Sequence, residues 1–162
     1  MSASVEADPL LIKNGEARPN GHYKFLGLEV LVKVSAQDTG GEYCLVESVS
    51  PPFSGPPLHS HVYEELFQVT EGEFLFELGG QQMTAGPGDV VRIPGGAPHV
   101  FQNIGAGTGR MLVLVRPAGI EDYFADLHAL GVQPGAGIAE FRAAAERNGV
   151  TLLGPPIAAR QG

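Results

Sequence analysis

Residues 53–72 read FSGPPLHSHVYEELFQVTEG, and residues 88–103 read GDVVRIPGGAPHVFQN. In the first stretch His59 and His61 stand two apart, so on a strand their side chains leave by the same face. Glu65 shares that parity and its neighbour Glu64 does not. A straight strand would hold His59 and Glu65 roughly 20 Å apart, at about 3.3 Å per residue. The three side chains can meet only if the chain bends near Val62–Glu64. In the second stretch Pro94-Gly95-Gly96 and Ala97-Pro98 force turns that aim His99 back toward the interior from another strand. Three imidazoles and one carboxylate around a point make a site for a divalent transition metal, with positions left open for water or substrate.

The surrounding sequence reads as all-β. From Tyr23 to Pro117, short runs of alternating or β-branched residues are separated by Gly and Pro. Leu28, Val30, Val32 and Val34 alternate with Glu29, Lys33 and Ser35, and Phe74, Phe76 and Leu78 alternate with Glu73 and Glu77 before the Gly79-Gly80 turn. Met111–Val115 is uninterrupted and reads as a strand covered on both faces. About eight such strands predict a sandwich or closed barrel over residues 23–117. Residues 1–22 read as a polar, turn-rich arm. After Pro117 the period becomes helical: Ile120, Tyr123, Phe124, Leu127 and Leu130 fall on one face, and a second helix is expected from about Ile138 to Asn148. Residues 118–162 therefore read as a helical extension packed on the barrel, with an extended end at Leu152–Pro156. The first helix either lids the barrel mouth or packs outside it.

Composition narrows the function classes. The chain has 162 residues, and Lys and Arg number 10 against 18 Asp and Glu, a net charge of −8. Nucleic-acid binding needs a basic surface, so a nucleic-acid partner is not expected. Neither is a membrane partner, since no apolar run approaches the length of a span. Gly and Pro make up about 22% of the residues, short of the low-complexity range and consistent with many tight turns. The lone cysteine, Cys44, excludes an intrachain disulfide and reads as a small buried apolar residue. With no apolar signal-like core near the start, a cytoplasmic location is expected. His22 and His128 lie outside the two stretches, and His128 falls near a helix C-terminus, where a partly charged imidazole is favourable.

The two stretches resemble the motifs of the cupin superfamily. The second motif, G-x5-P-x-G-x2-H-x3-N, is met in full by Gly88, Pro94, Gly96, His99 and Asn103. The first, G-x5-H-x-H-x3-E-x6-G, is met by His59, His61, Glu65 and Gly72, but Phe53 stands where the opening glycine belongs. The resemblance implies a jelly-roll barrel, here with two short C-terminal helices, and the metal ligands His59, His61, Glu65 and His99. The spacing to Gly72 selects Glu65 over Glu64. The ion would be one divalent transition metal: iron, manganese, nickel, cobalt, copper or zinc.

A finer resemblance is to small quercetin 2,3-dioxygenase-like bacterial cupins. It implies a dioxygenase acting on a flavonol-like or other enol-type aromatic small molecule, with Glu65 also the general base, and a homodimer. The alternatives are a binding or sensory cupin without turnover, and a non-oxidative metal-dependent isomerase or lyase. Tyr63, Phe67, Phe74, Phe76, Phe101, Met111 and Val113 have the parity to line an apolar pocket or simply to fill the core. Asn103 supports the site or closes the turn before Gly105.

Overall fold

A computed structural model describes residues 9–131 and 135–161; the first eight residues of the expected arm lie outside them. In chain order the elements are β1 (His22–Phe25), β2 (Leu28–Val34), α1 (Ala36–Thr39), β3 (Cys44–Ser50), β4 (Leu58–Ser60), β5 (Glu64–Glu71), β6 (Phe74–Leu78), β7 (Gln81–Ala85), β8 (Val90–Ile93), β9 (His99–Asn103), β10 (Gly109–Arg116), α2 (Ile120–Gly131), α3 (Ile138–Arg147), β11 (Thr151–Gly154) and α4 (Ile157–Arg160). The strands form two antiparallel sheets, ordered β1-β2-β3-β10-β5-β8 and β11-β4-β9-β6-β7. This is a jelly-roll arrangement, mostly β with a few short helices. Among the described residues no helix is long and apolar enough to cross a membrane.

Alternation builds the core. Glu65, Phe67 and Val69 of β5 are buried, and the residues between them are not. Val30 and Val32 of β2 and Val46 of β3 face the same interior. From the other sheet come Phe74, Phe76 and Phe101, and Phe67 meets Phe76 and Phe101 edge-on at 5.4 and 5.7 Å. On β10, Met111, Val113 and Val115 are buried, whereas Leu112 and Leu114 are only half-buried, so one face of that strand is covered less than its apolar run suggests. Cys44 is fully buried, and burial pushes its thiol pKa up, as befits a core residue.

The extension after Pro117 is more than helical. The expected helices form as α2 and α3, but β11 hydrogen-bonds along β4 and widens the five-stranded sheet. The short helices α1 and α4 were not expected; α1 is one turn, with the Asp38 carboxylate accepting the Ser35 N–H at 2.8 Å. The described part of the arm crosses onto β2, where Arg18 N–H donates to the Val32 carbonyl at 2.9 Å and Val32 N–H to Gly21 at 2.8 Å.

The missing motif glycine has a visible consequence. Phe53 adopts φ +64 and is two-thirds exposed. Such a left-handed backbone costs a non-glycine residue about 1–2 kcal/mol, which is why glycine suits the position. The turn survives because Phe53 N–H donates to the Asn103 carbonyl at 2.8 Å. Two residues on, Gly55 presses on β9 so closely that a Cβ there would lie 1.9 Å from the Phe101 carbonyl oxygen.

Candidate metal centre

The site sits where the chain passes from one sheet to the other. β4 pairs with β9, and their register sets His59 directly opposite His99. Residues 61–63 then leave the five-stranded sheet, and β5 begins in the six-stranded one, bringing Glu65 in from the facing wall. This crossing is the bend that the parity argument requires. It is braced by the turn before His99: Gly96 N–H donates to the His61 carbonyl at 2.7 Å. Gly95 lies so close that a Cβ on it would meet the Val62 carbonyl at 2.4 Å. Gly95→Ala should therefore destabilise the protein by about 1–3 kcal/mol, the usual cost of overpacking. It should also weaken metal uptake, because the backbone that shifts carries His61; thermal melts and a metal titration check both effects.

The three imidazoles converge. Ring centroids are separated by 4.3 Å for His59 and His99, 4.9 Å for His61 and His99, and 5.3 Å for His59 and His61. One nitrogen from each ring lies within 4.8 Å of the other two, so the three can hold a metal ion. The tautomers follow from the hydrogen bonds. Nδ1 of His59 faces the Pro57 carbonyl at 2.7 Å, that of His61 the Tyr63 carbonyl at 3.2 Å, and that of His99 the Ala97 carbonyl at 2.8 Å. A carbonyl can only accept, so each Nδ1 carries the proton and each Nε2 is left with a lone pair for the centre.

Glu65 faces the same point and is buried, with Oε2 3.0 Å from His99 Nε2 and 3.4 Å from His61 Nε2. The latter pair lacks hydrogen-bond alignment, which leaves His61 Nε2 buried and unpartnered. Three lone pairs and an anion aimed at one another lack a positive charge among them, and a divalent cation supplies it. The donor set thus fits a transition metal.

Electrostatics agree. Burial opposes ionisation of Glu65, but the adjoining His61 and His99 outweigh it and hold its pKa down to about 2. Burial drives His59 down to about 4, reinforced by His99. His61 moves the other way, because the Glu65 carboxylate outweighs the burial penalty. Glu64, the competing carboxylate, points outward and pairs with Arg92 at 2.8 Å.

The other candidates fall elsewhere. Asn103 closes a turn: its amide donates to the carbonyls of Ser50 at 2.8 Å and Gly107 at 2.9 Å, and its oxygen accepts Gly105 N–H at 2.9 Å. His22 pairs with Glu29 on the surface, and His128 contacts the Lys24 backbone at the β1 edge.

A cavity of about 90 Å³ opens from the four side chains. Of the expected wall residues, Phe67, Phe101 and Val113 line it, while Tyr63, Phe74, Phe76 and Met111 do not. The sequence reading missed Phe25, Leu26, Leu28 and Val30 from the β1–β2 hairpin and Val46 and Ser48 from β3, and it left open whether α2 lids the barrel mouth or packs outside it. That helix covers one side with Ile120, Tyr123, Phe124 and Leu127, with Phe124 stacked on Phe25 at 5.4 Å. Burial raises the Tyr123 pKa to about 12. The regular alternation of Leu28, Val30 and Val32 was the available signal for the hairpin's inner face.

Comparison with known proteins agrees with this geometry. The family model described as the cupin domain matches residues 46–115, which contain His59, His61, Glu65 and His99. An uncharacterized protein of Methanocaldococcus jannaschii is 34% identical over 67 residues, 41% of this chain and 54% of that protein, so the match spans about half of its length. Three solved structures share the fold. A predicted oxalate decarboxylase from Thermotoga maritima aligns with TM-score 0.53 and 23% identity over 56% of this chain and 80% of its own. KdgF from a Halomonas species gives 0.53 and 16% over 65% and 94%. An RmlC-like cupin from Shewanella frigidimarina gives 0.52 and 17% over 65% and 93%. With both histidine stretches inside the matched segment, residues 46–115 are similar to a cupin domain, and the solved structures share the jelly-roll fold.

Proposed function

We propose that this protein is a metal-dependent dioxygenase of an enol-type small molecule, with His59, His61, His99 and Glu65 as the metal ligands. The observation that supports this best is the set of three imidazoles whose Nδ1 protons are tied to backbone carbonyls, facing a buried carboxylate at the end of an apolar cavity. A divalent transition metal held there would lower the pKa of a substrate hydroxyl and orient the substrate for O2. Glu65, charged through the physiological range, is placed to accept that hydroxyl's proton. The aromatic and aliphatic walls exclude water from the reacting carbon atoms. Tyr123 and Phe124 of α2 close the cavity against solvent.

The test is oxygen uptake by protein loaded in turn with iron, manganese, nickel, cobalt, copper or zinc. Quercetin and smaller enols are offered as substrates, and products are identified by mass. Stoichiometric incorporation of both oxygen atoms into a product is the expected result. A tightly bound enol with no oxygen consumed under any metal would replace this reading with that of a binding protein.

A further inference from the structure

We propose that the centre takes a compact substrate, an enol of two or three carbons, and that Phe124 of α2, stacked on Phe25 of β1, sets this limit. That the substrate is an enol rests on the reading of the centre as that of a dioxygenase; the size limit rests on the cavity itself. A cavity of about 150 Å³ takes a benzene ring, with its six carbons. At the same share of space per atom, a volume of about 90 Å³ holds roughly four non-hydrogen atoms. The double-bonded carbons and the hydroxyl oxygen of an enol already use three of them. A flavonol, with three rings, exceeds the space several times over.

The limit holds only if the cover stays in place, and α2 is fastened at both ends. At its start the Glu121 carboxylate accepts the Ala36 N–H at 2.8 Å through one oxygen and the Gly119 N–H at 2.7 Å through the other, which ties the helix to α1 and to its own leading turn. Near its end the Lys24 N–H donates to His128 Nδ1 at 3.0 Å, which ties the helix to β1. Between these ties Ile120 and Leu127 are buried, and both border the cavity with Tyr123 and Phe124. The rings of Phe124 and Phe25 are nearly parallel, 16° apart. Phe25 is buried in the core and Phe124 is half-buried, so Phe124 is the ring whose removal disturbs the fold less. A ligand carrying an aromatic ring has to break this stack, or the ties of α2, to enter.

Calorimetric titration of the full chain loaded with Ni²⁺ compares acetohydroxamate with benzohydroxamate, which present the same metal-binding group on a methyl and on a phenyl. Benzohydroxamate should bind about 10–100-fold more weakly, the affinity equivalent of overpacking a fitted interior. In Phe124→Ala the ratio should fall to less than about threefold, because the deletion frees the space of one phenyl ring and removes the overpacking. Benzohydroxamate bound by the wild-type protein as tightly as acetohydroxamate overturns the proposal, whether or not the variant folds.

Benzene is the probe for the metal-free chain, followed through amide chemical shifts. The wild-type protein should show no site for it, and Phe124→Ala should show one. A protein that takes up no nickel loses the metal reading, and the benzene pair still decides the size limit. The expected ratios without oxygen uptake on two- and three-carbon enols remove the enol and leave the limit. Benzene bound by the wild-type protein, or an unchanged hydroxamate ratio in a folded Phe124→Ala, overturns the proposal.

Discussion

Protein carrying His61→Ala should be purified folded and almost free of metal. Of the four side chains at the centre, His61 has the clearest need for a cation, since its Nε2 is buried without a partner. Losing a residue that merely orients a ligand already costs about 10–100-fold in metal affinity, so losing the imidazole itself should cost more than about 100-fold. The fold should persist because neither His61 nor His99 belongs to the apolar core, which Phe67, Phe74, Phe76, Phe101 and Met111 hold together across the sheets. At about 25 cal/mol per Å² of buried apolar surface, that core outweighs a single ion. His99→Ala should empty the site as well, with a larger loss of stability, because His99 is buried, donates to the Ala97 carbonyl and faces His59 across the β4–β9 register. Metal content by mass spectrometry and circular dichroism on the same samples make the check. A variant that is metal-free and largely unfolded would make the ion structural.

Much of this centre is legible in the sequence, because parity is a strong constraint. His59 and His61 had to share a face, and the only route for Glu65 was a bend at Val62–Glu64, which is where the chain crosses between the sheets. Parity also separates Glu65, buried against His99, from Glu64, which reaches Arg92 in solvent. The cavity was less legible. Its walls come from residues far apart in sequence, such as Leu28, Val46 and Tyr123, and alternation says that a side chain points inward without saying which inward side chains leave a gap. Phe67 and Phe76 have the same pattern and touch each other, yet only Phe67 borders the cavity. For α2, helical periodicity marked the packed face but not its partner; the stacking of Phe124 on Phe25 sets that face against the cavity. The strand β11 was read only as extended, because its pairing with β4 depends on a long-range contact that no local signal carries.

Substituting Glu65 by glutamine should separate its two proposed roles. The amide has nearly the shape of the carboxylate and keeps one carbonyl oxygen to offer a cation, but it cannot take up a proton at neutral pH. It can also donate to the lone pair on His99 Nε2, which now lies 3.0 Å from Oε2, so the packing of the centre should survive. With three imidazoles still held in their metal-binding tautomers by Pro57, Tyr63 and Ala97, metal content should fall modestly. Turnover of an accepted enol should fall by about 10²–10⁴, the range lost with a general base. The loss should appear in kcat more than in KM, because binding of the apolar body of the substrate does not involve the carboxylate. Metal content and turnover are measured side by side on wild-type and Glu65→Gln protein. Near wild-type turnover with metal retained would remove Glu65 from the chemistry, and a parallel loss of metal and turnover would leave it only as a ligand.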